Sequence, residues 1–133
     1  MTVRVLIADD QAPFRRAARS VLSAVSNFQL IGEATSGEEA VALVDSLRPD
    51  LVLMDITMAG IGGIEAARSI NARHPETMTV LLSTYREEDL PREALSCGAT
   101  AYLHKSDLSG HALHDLWSER RVTRSQPGRG SPP

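Results

Sequence analysis

The sequence predicts an α/β fold, a doubly wound parallel sheet with helices on both faces. Three observations point there. Five short runs rich in β-branched and aliphatic residues, at 3–8, 29–34, 51–54, 79–83 and 100–103, are too short for helices and read as strands. Longer stretches with apolar residues at helical spacing separate them, and each parallel connection needs such a crossover. The first and third runs are continuously apolar, as strands covered on both faces must be.

The elements follow in order. The first strand runs through Val3, Val5, Leu6, Ile7 and Ala8 and stops at two adjacent aspartates, Asp9 and Asp10. Phe14, Ala17, Ala18, Val21, Leu22 and Val25 then form the apolar stripe of a first helix. After the second strand, Ser36 with Glu39 three residues later is a capping-box pattern; it opens a helix carrying Ala40, Leu43, Val44 and Leu47, with Pro49 beyond its end. Ile64, Ala67 and Ile70 mark a third helix after the third strand. A fourth contains Leu95, is expected to begin near Leu90 because Pro91 suits a first turn, and ends at Gly98. Leu108, Ala112 and Leu116 belong to a fifth. From about Val122 to Pro133, proline, glycine and serine replace any apolar period, so residues 1–121 are expected to form the domain and 122–133 a disordered tail or linker stub.

Composition narrows the function classes. A chain of 133 residues, 42% hydrophobic and 23% charged, can bury the core of one domain. A net charge of -3 offers no basic field for nucleic acid. The single cysteine, Cys97, cannot form an internal disulfide and suits a reducing compartment. No signal peptide is visible, and no apolar run approaches the ~20 residues of a membrane span, so the expected location is the cytoplasm, with no membrane partner. Of the 14 basic residues, Lys105 is the one lysine: either chance within an arginine-biased composition, or a place that needs a compact ammonium on a flexible stem.

In an open α/β sheet the working site lies beyond the carboxyl ends of the strands, near the switch point of the topology. That rule gathers Asp9, Asp10, Asp55, Ser83 and Lys105 at one edge. Clustered carboxylates repel and call for a cation; a hard divalent ion such as Mg²⁺, with oxygen ligands, answers the charge. A lysine and a small hydroxyl beside it suit phosphoryl oxygens, with a carboxylate as nucleophile. No glycine-rich nucleotide loop is present.

The stretches "VLIADD", "DLVLMDITMAGIGGIEAAR", "VLLSTY" and "GATAYLHKSD" together resemble the receiver domain of bacterial two-component response regulators. "FQLIGEATSGEEAVALV" is similar to its NarL/FixJ-like branch, and the resemblance covers about residues 2–120. It implies a flavodoxin-like (βα)5 fold with strand order 2-1-3-4-5. It implies phosphorylation of Asp55 by a sensor histidine kinase, with Mg²⁺ held by Asp9, Asp10, Asp55 and the Thr57 carbonyl. Lys105 would pair with the phosphoryl oxygens, and Ser83 and Tyr102 would form the switch. The domain would be a phosphoacceptor rather than an enzyme, able to form a homodimer on activation, and reaching DNA through an output domain outside these residues.

Some residues depart from the family pattern. Ala59 stands where proline is usual and Gly62 where a polar residue is frequent, which predicts a more flexible loop after Asp55. Thr84 is bulkier than the common residue beside the site. These departures motivate an alternative, a pseudo-receiver that binds proteins without phosphate. A metal-dependent phosphatase is a third reading, and it lacks an aspartate at Thr57. His74, His104, His111 and His114 lack metal-ligand company and are expected at the surface.

Overall fold

The computed structural model describes residues 2–125. β1 (Val3–Ala8), α1 (Ala12–Ser23), β2 (Phe28–Ala34), α2 (Gly37–Leu47), β3 (Leu51–Asp55), α3 (Gly62–Arg73), β4 (Met78–Ser83), β5 (Ala101–His104) and α4 (Gly110–Ser125) follow one another along the chain. The five strands form one parallel sheet in the order β2-β1-β3-β4-β5. The predicted order and class are therefore observed. Because β1 has β2 on one side and β3 on the other, connections leave it in opposite directions, and a crevice opens at its carboxyl end.

Alternation along the strands divides the core. Leu6, Ala8, Val52, Met54 and Leu81 point to one face, against Ala40 and Val44 of α2 and Ala66, Ala67 and Ile70 of α3. Val5, Ile7, Leu51, Leu53, Val80 and Leu82 point to the other, against Ala18 and Leu22 of α1 and Leu113 and Trp117 of α4. β3 and β4 are buried along their whole length, which for β3 explains why its sequence reads as an apolar run up to Asp55. Ser36 caps α2 by accepting from Glu39 N–H at 3.1 Å, while the Glu39 carboxylate accepts from Thr35 N–H at 2.7 Å.

The structure corrects the sequence at three places. The expected fourth helix is absent as an α-helix. The segment between β4 and β5 makes two short 3₁₀ turns, Glu87–Asp89 and Arg92–Leu95. Pro91 separates them with an extended backbone (φ -56°, ψ 145°), and its ring both lacks an N–H and pushes the preceding residue out of helical conformation. Apolar drive is also weak here, since Ala94 is buried but Leu95 stays 60% exposed.

The loop after Asp55, expected to be flexible, is instead pinned. Ala59 N–H donates to Asp10 Oδ2 (3.1 Å), Gly37 N–H to the Ala59 carbonyl (3.1 Å) and Ile61 N–H to Glu38 Oε1 (2.9 Å). Gly60, at φ +79°, lies so close to Glu38 that a Cβ would stand 1.9 Å from its Oε1. The third correction concerns His74, expected at the surface. It is 7% exposed, and its Nε2 lies 2.7 Å from Asp45 Oδ1, joining the ends of α2 and α3. His111 and His114 are exposed and His104 is half-buried.

α4 continues to Ser125, four residues into the stretch expected to be tail. The remainder of that stretch lies outside the described residues.

Candidate functional site

Strand register assembles the site. Ala8 pairs with Met54, so the residues that follow them, Asp9 and Asp55, leave neighbouring strands at the same level. Asp9 is fully buried; its N–H continues the sheet to the Ala34 carbonyl, and its Oδ1 accepts from Gln11 N–H at 2.8 Å, turning the chain into α1. Arg15 holds the Asp9 carbonyl at 2.8 Å. Asp10 is exposed beside it, with its Oδ2 on the Ala59 N–H. Asp55 is 5% exposed and accepts from Thr57 N–H at 3.3 Å. One oxygen from each of Asp9, Asp10 and Asp55 falls within a cluster no wider than 4.8 Å.

Lys105 enters from the exit of β5. Its Nζ is 2.7 Å from Asp9 Oδ2 and 3.4 Å from Asp55 Oδ2, and it lies over the Phe14 ring, 4.6 Å from the centroid. Phe14 was read from its spacing as part of a helix stripe; its contact with the ammonium needs tertiary structure to see. A cavity of about 640 Å³ opens over Asp55 and Lys105, walled by Phe14, Thr57, Thr84 and Tyr85. Thr84 is exposed at this mouth.

Electrostatics follow from burial. Desolvation pushes the Asp55 carboxyl up to about 6, and the neighbouring Asp9 charge adds to that; Lys105 and the Thr57 N–H pull it back in part. Three carboxylates against one ammonium leave negative charge in excess. Asp9 Oδ2 is buried and has no aligned hydrogen bond, although Lys105 Nζ stands beside it. A buried oxygen with spare capacity, within a set of hard oxygen donors, fits a divalent cation of the Mg²⁺ type.

Ser83 and Tyr102 lie to one side. β4 pairs its Leu82 with Asp55, which places Ser83 just past the level of Asp55 on the adjacent strand. Its buried Oγ accepts from Tyr85 N–H at 2.8 Å and, among the described residues, makes no bond to Asp55 or Lys105. Tyr102 is half-buried, donates its hydroxyl to the Ala94 carbonyl, and is raised above the ordinary phenol range by burial. Ser83 and Tyr102 share a neighbouring cavity of about 570 Å³ with His104. The structure thus brings Asp9, Asp10, Asp55 and Lys105 together with Thr57, and sets Ser83 and Tyr102 one wall away.

A five-stranded parallel sheet with an acidic cluster and a lysine at its carboxyl edge defines the receiver class of signalling domains. Comparison with known proteins agrees. The family model for the response regulator receiver domain matches residues 5–115. The response regulator GacA of Pseudomonas viridiflava is 38% identical over 103 residues, which are 77% of this chain and 48% of that protein. The transcriptional regulatory protein YdfI of Bacillus subtilis is 36% identical over 113 residues, 85% of this chain and 53% of that protein. The solved signal receiver domain of a response regulator NarL from Mycobacterium tuberculosis superposes with a TM-score of 0.79 at 30% identity, covering 88% of this chain and 97% of that one. The chain belongs to the response regulator receiver family. It spans about half the length of the curated relatives it matches. No helix among the described residues is long and apolar enough to cross a membrane.

Proposed function

We propose that this receiver domain accepts a phosphoryl group on Asp55 from a sensor histidine kinase and, in that state, changes its surface to control an output. The observation that carries this reading is the pairing of a buried, charge-burdened Asp55 with Lys105 under an open cavity.

The residues suggest how the transfer runs. An Asp55 carboxylate oxygen attacks phosphorus; a P–O bond forms as the P–N bond to the kinase imidazole breaks, and its electron pair leaves with that nitrogen. A carboxyl that titrates near 6 is largely ionised at neutral pH and therefore available as nucleophile. Lys105, already held by Asp9 and Phe14, needs little reorganisation to meet the phosphoryl oxygens. Asp9, Asp10, Asp55 and the Thr57 carbonyl would hold Mg²⁺, which when bound neutralises charge on those oxygens. Ser83 supplies a hydroxyl donor and Tyr102 follows its movement, after which Asp55 slowly loses phosphate to water.

The similarity to a transcriptional regulatory protein supports an output on transcription; we extend this to a DNA-binding domain, a homodimer formed on activation and a cytoplasmic location. The phosphate-independent reading draws no support from the site, because the acidic cluster and lysine are complete and the cavity is open.

Incubation with acetyl phosphate or a cognate kinase in Mg²⁺, followed by intact mass measurement, is expected to show one added phosphate that does not form when EDTA replaces Mg²⁺ or in Asp55→Asn. No added mass, or a gain that survives Asp55→Asn, refutes the proposal.

A further inference from the structure

His104 closes β5 opposite Ser83 in the β4–β5 register. Its ring has three partners. Ser106 N–H reaches Nδ1 at 3.1 Å, the Ser106 hydroxyl lies 2.7 Å from the same nitrogen, and Nε2 meets the Thr84 carbonyl at 3.0 Å. A backbone N–H can only donate and a carbonyl can only accept, so these bonds specify one tautomer, with Nδ1 bare and Nε2–H donating to Thr84. The same ring therefore caps the turn Lys105–Asp107 and grips the residue that follows Ser83. It ties the strand exit bearing Lys105 to the strand exit bearing Ser83.

The Ser83 hydroxyl accepts from the Tyr85 N–H at 2.8 Å, the arrangement we assign to the unphosphorylated state. Any shift of the β4 exit toward β3 that would bring Ser83 to a phosphoryl oxygen on Asp55 is resisted where His104 holds Thr84.

We infer that His104 is a positioning residue, a latch that holds the exit of β4 in the resting arrangement and raises the free energy of drawing Ser83 onto a phosphoryl group. This rests on the proposed roles of Asp55 and Ser83. His104 acts through Thr84, and no hydrogen bond or ion pair of the described residues joins it to the acidic cluster. A bond present in one state and absent in the other shifts the equilibrium by its net worth. Its removal tightens binding of a phosphoryl analogue by about twofold to tenfold, the equivalent of one net hydrogen bond.

The test titrates beryllofluoride in Mg²⁺, and Mg²⁺ alone, into the wild type, His104→Leu and His104→Gln. Glutamine keeps an N–H at the position of Nε2 for the Thr84 carbonyl. His104→Leu is expected to bind beryllofluoride about twofold to tenfold tighter with its Mg²⁺ affinity unchanged, and His104→Gln to return toward wild type. A local packing defect would instead weaken both ligands. Equal or weaker beryllofluoride binding by His104→Leu, or the same tightening in His104→Gln, overturns the latch. A wild type that binds Mg²⁺ but no beryllofluoride refutes the phosphoacceptor reading instead. The latch is then judged on the ring ¹⁵N shifts of the free protein, where any tautomer but Nε2–H overturns it.

Discussion

Replacing Asp55 by asparagine should stabilise the protein in the absence of divalent cations. Burial and Asp9 lift the Asp55 carboxyl from 3.8 to about 6, so the native state keeps a proton that the unfolded chain has already released across that window. Stability linked to this group therefore falls as pH climbs from about 4 to about 6, and stays at its lower level above that. The shift corresponds to about 3 kcal/mol. Asparagine removes the charge and keeps an oxygen for the Thr57 N–H. The variant should thus exceed wild type by up to about 3 kcal/mol at pH 8 in EDTA, or roughly 10 °C in melting temperature for a domain of this size. The comparison must be of the two proteins at each pH, because Glu33, Glu38 and Asp45, all held below their ordinary range, add stability with rising pH in both. Thermal unfolding at pH 4, 5, 6 and 8 measures the difference, which should be near zero at pH 4, grow through pH 5 and level off above 6. Mg²⁺ should narrow it by stabilising wild type more than the variant. An Asp55→Asn protein no more stable than wild type at pH 8, or an advantage that persists at pH 4, would refute the account of the site as a store of uncompensated charge.

Three further outcomes test other parts of the site. Lys105→Met leaves the fully buried Asp9 carboxylate facing Asp55 without its cation, so chemical denaturation at pH 7 should show a loss of about 2 kcal/mol and carboxyl ¹³C titration an Asp55 midpoint above 6. Asp10→Asn keeps an oxygen for the Ala59 N–H but loses a charged ligand, so calorimetry should find Mg²⁺ binding weakened by at least about tenfold, with the metal-free stability within about 0.5 kcal/mol of wild type. Gly63→Ala would put a Cβ 1.8 Å from the Asp55 carbonyl oxygen and 3.0 Å from Ile56 Cα, both backbone atoms, so urea unfolding should report a loss of about 3 kcal/mol or more together with slower phosphorylation; a neutral result would mean that α3 and β3 can separate freely.

The sheet was legible because its signal is redundant. β1, β3 and β4 are buried on both faces, so nearly every residue in them is apolar, and a one-residue error in either bound leaves the strand recognisable. The segment between β4 and β5 has no such redundancy: one proline and a few weakly buried side chains decide between a helix and two 3₁₀ turns, and a sparse apolar pattern around Leu95 does not reveal which. His74 misled for a related reason. Its place in the core comes from Asp45, 29 residues away, and no local pattern marks that pair.

The same distinction runs through the site. Asp9, Asp10, Asp55 and Lys105 could be read because they stand at the ends of recognisable strands and carry charges that need one another. What holds them could not, since it is built from backbone groups and rings whose partners lie far along the chain: the Ala59 N–H on Asp10, the Glu38 carboxylate under Gly60 and Ile61, Phe14 beneath Lys105, His104 on the Thr84 carbonyl. Ala59 makes the point physically. Judged alone, an alanine in place of proline frees a loop, because more backbone conformations open to the unfolded chain. In the folded protein the same replacement restores an N–H, and that donor fastens the loop to a carboxylate of the acidic cluster. A departure that looks like loosened constraint thus adds a tie between the loop after Asp55 and the acidic edge, beside the one that the Thr57 N–H already makes to Asp55.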